Sequence, residues 1–131
     1  MKSYTDLKQS KKLAEILSVE SADMVLLYEK PYETNDSKFD GLYQALCVPF
    51  SQYDKSWRKK YRNISYFPCW SLTALLDLCP TINGKQPILT RGKLTSLWYC
   101  YYEDEIDTQT YDNPIDACYE MITRLNELNL L

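Results

Sequence analysis

The chain has 131 residues, 45% of them hydrophobic and 25% charged, with a net charge of −3. That is one domain's length, 1–131, with enough apolar residues for a core, which excludes a disordered tail and a fibrous repeat. No apolar run reaches the roughly 18–20 residues that span a bilayer, and Met1–Asp6 turns polar where a signal peptide needs an apolar stretch, so a soluble, cytoplasmic product is expected.

The first predicted element is a helix over Thr5–Ser18. Thr5 is its expected cap, and Leu13, Ile16 and Leu17 form its apolar stripe beside solvated Lys8, Lys11 and Lys12. Ser21-Ala22-Asp23 then turns the chain into a strand, Met24–Tyr28, ended by Pro31. A second strand is expected over Leu42–Val48, before Pro49. Residues 51–63 read as an exposed loop or helical turn, and Ile64–Phe67 as a brief strand. A helix follows over Trp70–Leu78, with Ser71 as its cap and Pro80 beyond its end. Asn83-Gly84 is a strong two-residue hairpin signal and Arg91-Gly92-Lys93 a weaker one. They divide Thr81–Ile82, Pro87–Thr90 and Leu94–Tyr102 into a predicted antiparallel meander. The last helix starts at an Asn113 cap with Pro114 in its first turn and Asp116 at the capping-box position. Cys118, Met121, Ile122, Leu125 and Leu128 mark its apolar face. The order α-β-β-α-β-β-β-α predicts an α+β fold, with helices packed on one face of a mostly antiparallel sheet.

Several chemistries are excluded by an absence: the chain contains no histidine. A Ser-His-Asp triad, a Cys-His dyad and a His-ligated zinc are therefore impossible within it. The five cysteines stand at 47, 69, 79, 100 and 118, so no C-x-x-C pair exists. An odd number of cysteines without an export signal reads as reduced thiols, most of them small buried apolar groups. Three glycines could scarcely build a nucleotide-binding loop. No disulfide, metal or cofactor is expected.

Three stretches carry a resemblance. They are Gln9–Leu13 with Ser21–Met24, then Pro68-Cys69-Trp70-Ser71-Leu72, then Asn113-Pro114-Ile115-Asp116-Ala117-Cys118. In these the chain resembles a group of small proteins encoded in gut Bacteroidales genomes, often in prophage or other mobile-element neighbourhoods. The resemblance implies a cytoplasmic bacterial or phage-borne setting and carries over no catalytic or binding residue.

Four constellations compete for function. The run Lys55-Ser56-Trp57-Arg58-Lys59-Lys60-Tyr61-Arg62 sets five cations and two aromatic rings in eight residues. Cations track phosphates and ring faces stack on unpaired bases, so Lys55, Trp57, Arg58, Lys59, Lys60, Tyr61 and Arg62 form a candidate nucleic-acid site. The bland alternative is a solvated loop. Cys69, just ahead of a helix, sits where a thiolate would be stabilised, but no base accompanies it. A hydrophobic staple made by Pro68-Cys69-Trp70 is the expected reading. Glu103, Asp104, Glu105, Asp107 and Asp112 offer oxygens for a hard cation, at a spacing that fits a solvated loop better than a calcium loop.

The fourth constellation is the strand Trp98–Tyr102, with Trp98, Cys100 and Tyr102 on one face and Tyr99 and Tyr101 on the other. Tyrosine is enriched in protein interfaces. The expected function is a non-catalytic accessory or regulatory protein acting through an unknown protein partner, with Trp57, Tyr99 and Tyr101 as candidate contact residues. Nucleic-acid binding through 55–62 is the alternative.

Overall fold

The computed structural model describes residues 2–29, 43–49 and 64–131. The fold is α+β. Its described elements are α1 (Leu7–Ile16), a short 3-10 turn (Val19–Ser21), β1 (Met24–Glu29), β2 (Tyr43–Pro49), β3 (Ile64–Cys69), α2 (Leu72–Leu78), β4 (Ile88–Arg91), β5 (Trp98–Tyr102), β6 (Ile106–Asp107) and α3 (Pro114–Glu127). The strands are shared between two antiparallel sheets, in the orders β2-β1-β3 and β4-β5-β6. The predicted loop or turn at 51–63 lies outside the described residues.

Each helix start follows from its capping chemistry. Asn113 Oδ1 accepts the Asp116 N–H at 2.9 Å, with Pro114 in the first turn, so the cap of α3 is the one its sequence predicts. Ser71 likewise caps α2, accepting the Ala74 N–H at 3.3 Å. The cap of α1 is Asp6 rather than the expected Thr5. Asp6 and Gln9 form a reciprocal capping box, Gln9 N–H to Asp6 Oδ1 at 2.8 Å and Asp6 N–H to Gln9 Oε1 at 3.2 Å. Thr5 is drawn inward instead, because its N–H donates to the Trp70 carbonyl at 3.0 Å and holds it beside the start of α2. Its buried hydroxyl accepts the Trp70 N–H at 3.1 Å and lies 2.8 Å from Ser10 Oγ.

In the first sheet, Leu26 of β1 stands opposite Cys47 on one side and Phe67 on the other. Leu26 and Cys69 are fully buried, and Tyr4, Leu7, Met24, Cys47 and Phe67 pack around them on the α1 side. The opposite face gathers Val25, Leu27 and Val48, with Tyr66 against them. Strand alternation sends successive side chains to these two clusters.

The main core lies between the helices and β5. The α3 residues Ile115, Ala117, Cys118, Met121, Ile122 and Leu125 are fully buried against Leu13, Trp70, Leu75, Cys100 and Tyr102. Each such Ile, Leu or Met contributes about 1.5–3 kcal/mol by leaving water. Leu128, expected on this face, is the C-cap residue and is exposed, since the helix ends before its side chain reaches the core. Trp70 joins three segments. Its indole N–H donates to Ser21 Oγ at 2.9 Å, and its backbone pairs with Thr5.

The second sheet matches the predicted meander in part. Asn83 (φ 49°) and Gly84 (φ 75°) form a tight turn, closed by paired backbone bonds between Ile82 and Lys85 at 2.9 and 2.8 Å. Positive φ at both central positions is what an Asn-Gly hairpin turn supplies. Thr81–Ile82 contributes one bridge rather than a strand. Leu94–Leu97 belongs to a loop, because the Gly92 N–H donates to the Leu97 carbonyl at 2.8 Å and the Ser96 N–H to the Gly92 carbonyl at 3.0 Å. Ser96 takes the left-handed φ of 57° needed to close it, and Leu94 is fully exposed at the tip.

Candidate functional site

The site is built on β5. Its odd and even residues divide as alternation requires: Cys100 and Tyr102 are fully buried under α3, while Tyr99 and Tyr101 stand half-buried on the opposite face. The two outward rings stack, with centroids 5.7 Å apart and planes 25° from parallel. Cross-strand register completes the face. Ile88 lies opposite Tyr101 and Thr90 opposite Tyr99 on β4, and Asp107 lies opposite Tyr101 on β6. Directly opposed residues share a face, so these five side chains form one surface. Ile88 is 39% exposed, which gives the surface an apolar member besides the rings. A shallow hollow of about 400 Å³ opens among Tyr99, Tyr101, Asp107, Thr108 and Thr110.

The backbone beneath is held on both sides. The Trp98 N–H donates to the Tyr111 carbonyl at 2.6 Å, and the Tyr111 N–H returns to the Trp98 carbonyl at 2.8 Å. The Cys100 N–H donates to Thr108 Oγ1 at 2.9 Å, and the Thr108 N–H donates to the Cys100 carbonyl at 2.9 Å. Trp98 and Cys100 thus bond toward 108–111, which leaves Tyr99 and Tyr101 to bond toward β4. Behind the strand, the Tyr102 hydroxyl donates to the Pro80 carbonyl at 2.7 Å. The rings project from a strand fixed along both edges and from behind.

Of the predicted contact residues, the structure brings Tyr99 and Tyr101 together. Trp57 and the rest of the basic–aromatic run, Lys55, Arg58, Lys59, Lys60, Tyr61 and Arg62, lie outside the described residues. Asp107 joins the tyrosine face through a register that the sequence does not display. The other acidic candidates point elsewhere. Glu103, Asp104 and Glu105 are exposed in the β5–β6 turn, where Glu105 accepts a hydrogen bond from Asn83 Nδ2 at 2.9 Å. Among the described residues, no group of three or more His, Cys, Asp or Glu side chains is placed to hold a metal ion.

Cys69 is fully buried at the end of β3, and its sulfur lies 3.6 Å from Cys47 Sγ. Burial, together with the neighbouring Cys47 and Asp23, pushes its thiol well above the ordinary cysteine range. That is the opposite of a poised nucleophile. Cys79 is pushed up to about 12 by burial and by Cys100 beside it. All five cysteines are free thiols. At the entry to α2, Trp70 joins the main core with Leu75, whereas Cys69 packs with Leu26 in the first sheet, so the two do not act together as the expected staple.

A second polar cluster, missed in the sequence, joins the starts of α1 and α3. Asp116 Oδ1 accepts Lys2 Nζ and Gln9 Nε2, each at 2.7 Å, and Asp116 Oδ2 accepts Asn113 Nδ2 at 2.7 Å. Lys2 also reaches Asp6 at 3.0 Å. Burial alone would raise the Asp116 carboxyl, but the bonds from Lys2, Asn113 and Gln9 outweigh it and hold the group below the usual carboxylate range. Burial would likewise lower Lys2, and its two carboxylate partners raise it instead. Every charged group here is committed to a partner within the fold, so the cluster reads as a clamp between the starts of α1 and α3.

No helix among the described residues is long and apolar enough to cross a membrane. Compared with protein-family models, with curated proteins and with solved structures, the chain matches none.

Proposed function

We propose that this is a non-catalytic, cytoplasmic interaction protein that docks a protein partner on the outward face of the second sheet, through Tyr99 and Tyr101. One observation carries the reading: two stacked, half-exposed tyrosines project from a rigid strand beside an exposed isoleucine. Tyrosine supplies large contact area at small entropic cost, which is why it recurs at interface centres. The full burial of Cys69 and the commitment of the Lys2–Asp116 cluster favour binding over catalysis. The resemblance in the sequence supports a mobile-element setting, in which this reading gives the protein an accessory or regulatory role.

The test is site-specific crosslinking in the source cell, with a photoreactive residue at position 99 or 101 and a control at exposed Lys12. A protein crosslinked from 99 and 101 alone, then purified, should bind the wild type and lose about tenfold in affinity to Tyr99→Ser/Tyr101→Ser, in line with loss of two interface aromatics. Equal binding by wild type and double variant refutes the proposal.

A further inference from the structure

The chemistry of the tyrosine face selects a class of partner. We infer that the face takes an arginine-bearing basic segment of the partner protein, one guanidinium stacking on an outer face of the Tyr99–Tyr101 ring pair and donating to the Asp107 carboxylate. The inference deepens the docking reading and rests on it.

Three observations support this occupant. First, the Asp107 side chain stands opposite Tyr101 in register and has no hydrogen-bond or ion-pair partner among the described residues. The hydroxyls of Tyr99 and Tyr101 likewise have none. A ring pair with an adjacent free carboxylate presents two negative features to one ligand group, because the aromatic face carries the negative end of the ring quadrupole. Second, the surroundings share that sign. Four exposed carboxylates, Glu103, Asp104, Glu105 and Asp107, stand here against two cations, Arg124 and Lys85, which donate to the Asp107 and Glu103 backbone carbonyls at 2.7 and 2.8 Å. A phosphate backbone would meet repulsion here, so the face favours a cationic polypeptide over nucleic acid. Third, the hollow of about 400 Å³ lies between the rings and Asp107, with Thr108 and Thr110 on its wall. A planar guanidinium can stack on a ring and donate edge-on to a carboxylate at once, whereas an ammonium ion cannot stack.

The test uses the full chain, nitrogen-15 labelled, titrated with a Gly/Ser peptide carrying spaced arginines and with its lysine and glutamate counterparts. The arginine peptide should bind best, with shift changes gathered at 88–90, 99–101 and 106–110, and binding should weaken as salt rises. Tyr99→Ser, Tyr101→Ser and Asp107→Asn should each weaken it by roughly three- to fivefold. Asp107→Asn keeps size and polarity on an exposed side chain, so it remains informative if a tyrosine variant loses its fold. Equal binding of the arginine and glutamate peptides, no binding of either, or binding indifferent to all three substitutions overturns the inference. So does single-stranded DNA mapping to the same residues, or self-association that Tyr99→Ser abolishes without any arginine-peptide binding. If a crosslinked partner depends on Tyr99 and Tyr101 while the arginine peptide is inert, the docking reading stands and this one falls.

Discussion

Replacing Asp116 by asparagine tests whether the clamp between the starts of α1 and α3 stabilises the fold. The carboxylate accepts from Lys2, Gln9 and Asn113, all at 2.7 Å, and lies in the first turn of α3, where negative charge is favoured. Asparagine keeps one acceptor. If that oxygen faces Lys2 and Gln9, its amide must point at the Asn113 amide, donor against donor. Hydrogen bonds to a charged group are worth about 1.5–3 kcal/mol each when buried. Here the carboxylate and Lys2 side chains remain 25% and 24% exposed, so the coupled loss should be about 2–3 kcal/mol rather than the sum. For a chain of this length that lowers Tm by roughly 10 °C. The assay is urea unfolding followed by tryptophan emission, to which buried Trp70 contributes, from pH 2.5 to 11. Because the folded-state carboxyl is depressed, its stabilisation is fully present above the unfolded value near ~4 and disappears as pH falls through the folded value. The gap between wild type and Asp116→Asn should therefore be flat from about pH 5 to about pH 10, begin to close below about pH 4, and narrow again as Lys2 loses its proton. Lys2 is raised, so its share is present below its unfolded value near ~10.4 and is lost as pH climbs through the folded one. A difference under about 0.5 kcal/mol at neutral pH, or one that persists unchanged at pH 2.5, refutes the reasoning.

Native-state alkylation should label half-buried Cys47 first and leave Cys69, Cys100 and Cys118 unreacted until the protein unfolds, which mass spectrometry of timed samples reads directly. Modification of Cys69 at the rate of a free thiol would reopen the nucleophile reading. Tyr102→Phe removes the hydroxyl that donates to the Pro80 carbonyl at 2.7 Å and leaves that acceptor unpaired by the ring, costing about 1–2 kcal/mol in urea unfolding. Gly84→Ala should cost about 1 kcal/mol through φ alone, since an added Cβ meets nothing within 4 Å while the backbone stays at φ 75°. A neutral Gly84→Ala would mean that the turn relaxes.

The parts of the fold written locally were legible. α3 has its cap, its first-turn proline and its apolar spacing within one stretch, and the Asn83-Gly84 turn needs only its own two residues to adopt positive φ. What depends on distant partners was not. Thr5 and Asp6 are both good caps in isolation, and the choice between them is made by Trp70, which takes Thr5 into the core. Leu94–Leu97 reads as strand by its residue types, yet the pairing of Arg91 with Trp98 obliges those residues to close the loop. The Asp116 cluster joins residues more than a hundred positions apart, a relation no spacing rule can express. The division into two sheets is of the same kind, since β3 pairs back with β1 across the chain and not with β4 after it.

The candidate face lies between these cases. Alternation alone separates Tyr99 and Tyr101 from Cys100 and Tyr102, but it says nothing about which pair is covered. That choice belongs to α3, whose apolar face packs on the side of β5 with the smaller thiol and the ring whose hydroxyl finds the Pro80 carbonyl. Had α3 packed on the other side, two tyrosine hydroxyls would have needed buried partners, and Cys100 would have been spent on solvent. Burial of Tyr102 thus leaves Tyr99 and Tyr101 outward for a physical reason. Asp107 joins them only through the register of β6, two residues of strand set by the three-residue turn after Tyr102. Lengthening that turn by one residue would shift the β6 register and carry Asp107 off the tyrosine face, while the ring pair stayed where β5 and α3 put it. The face is therefore separable into a part fixed by the core and a part fixed by a turn.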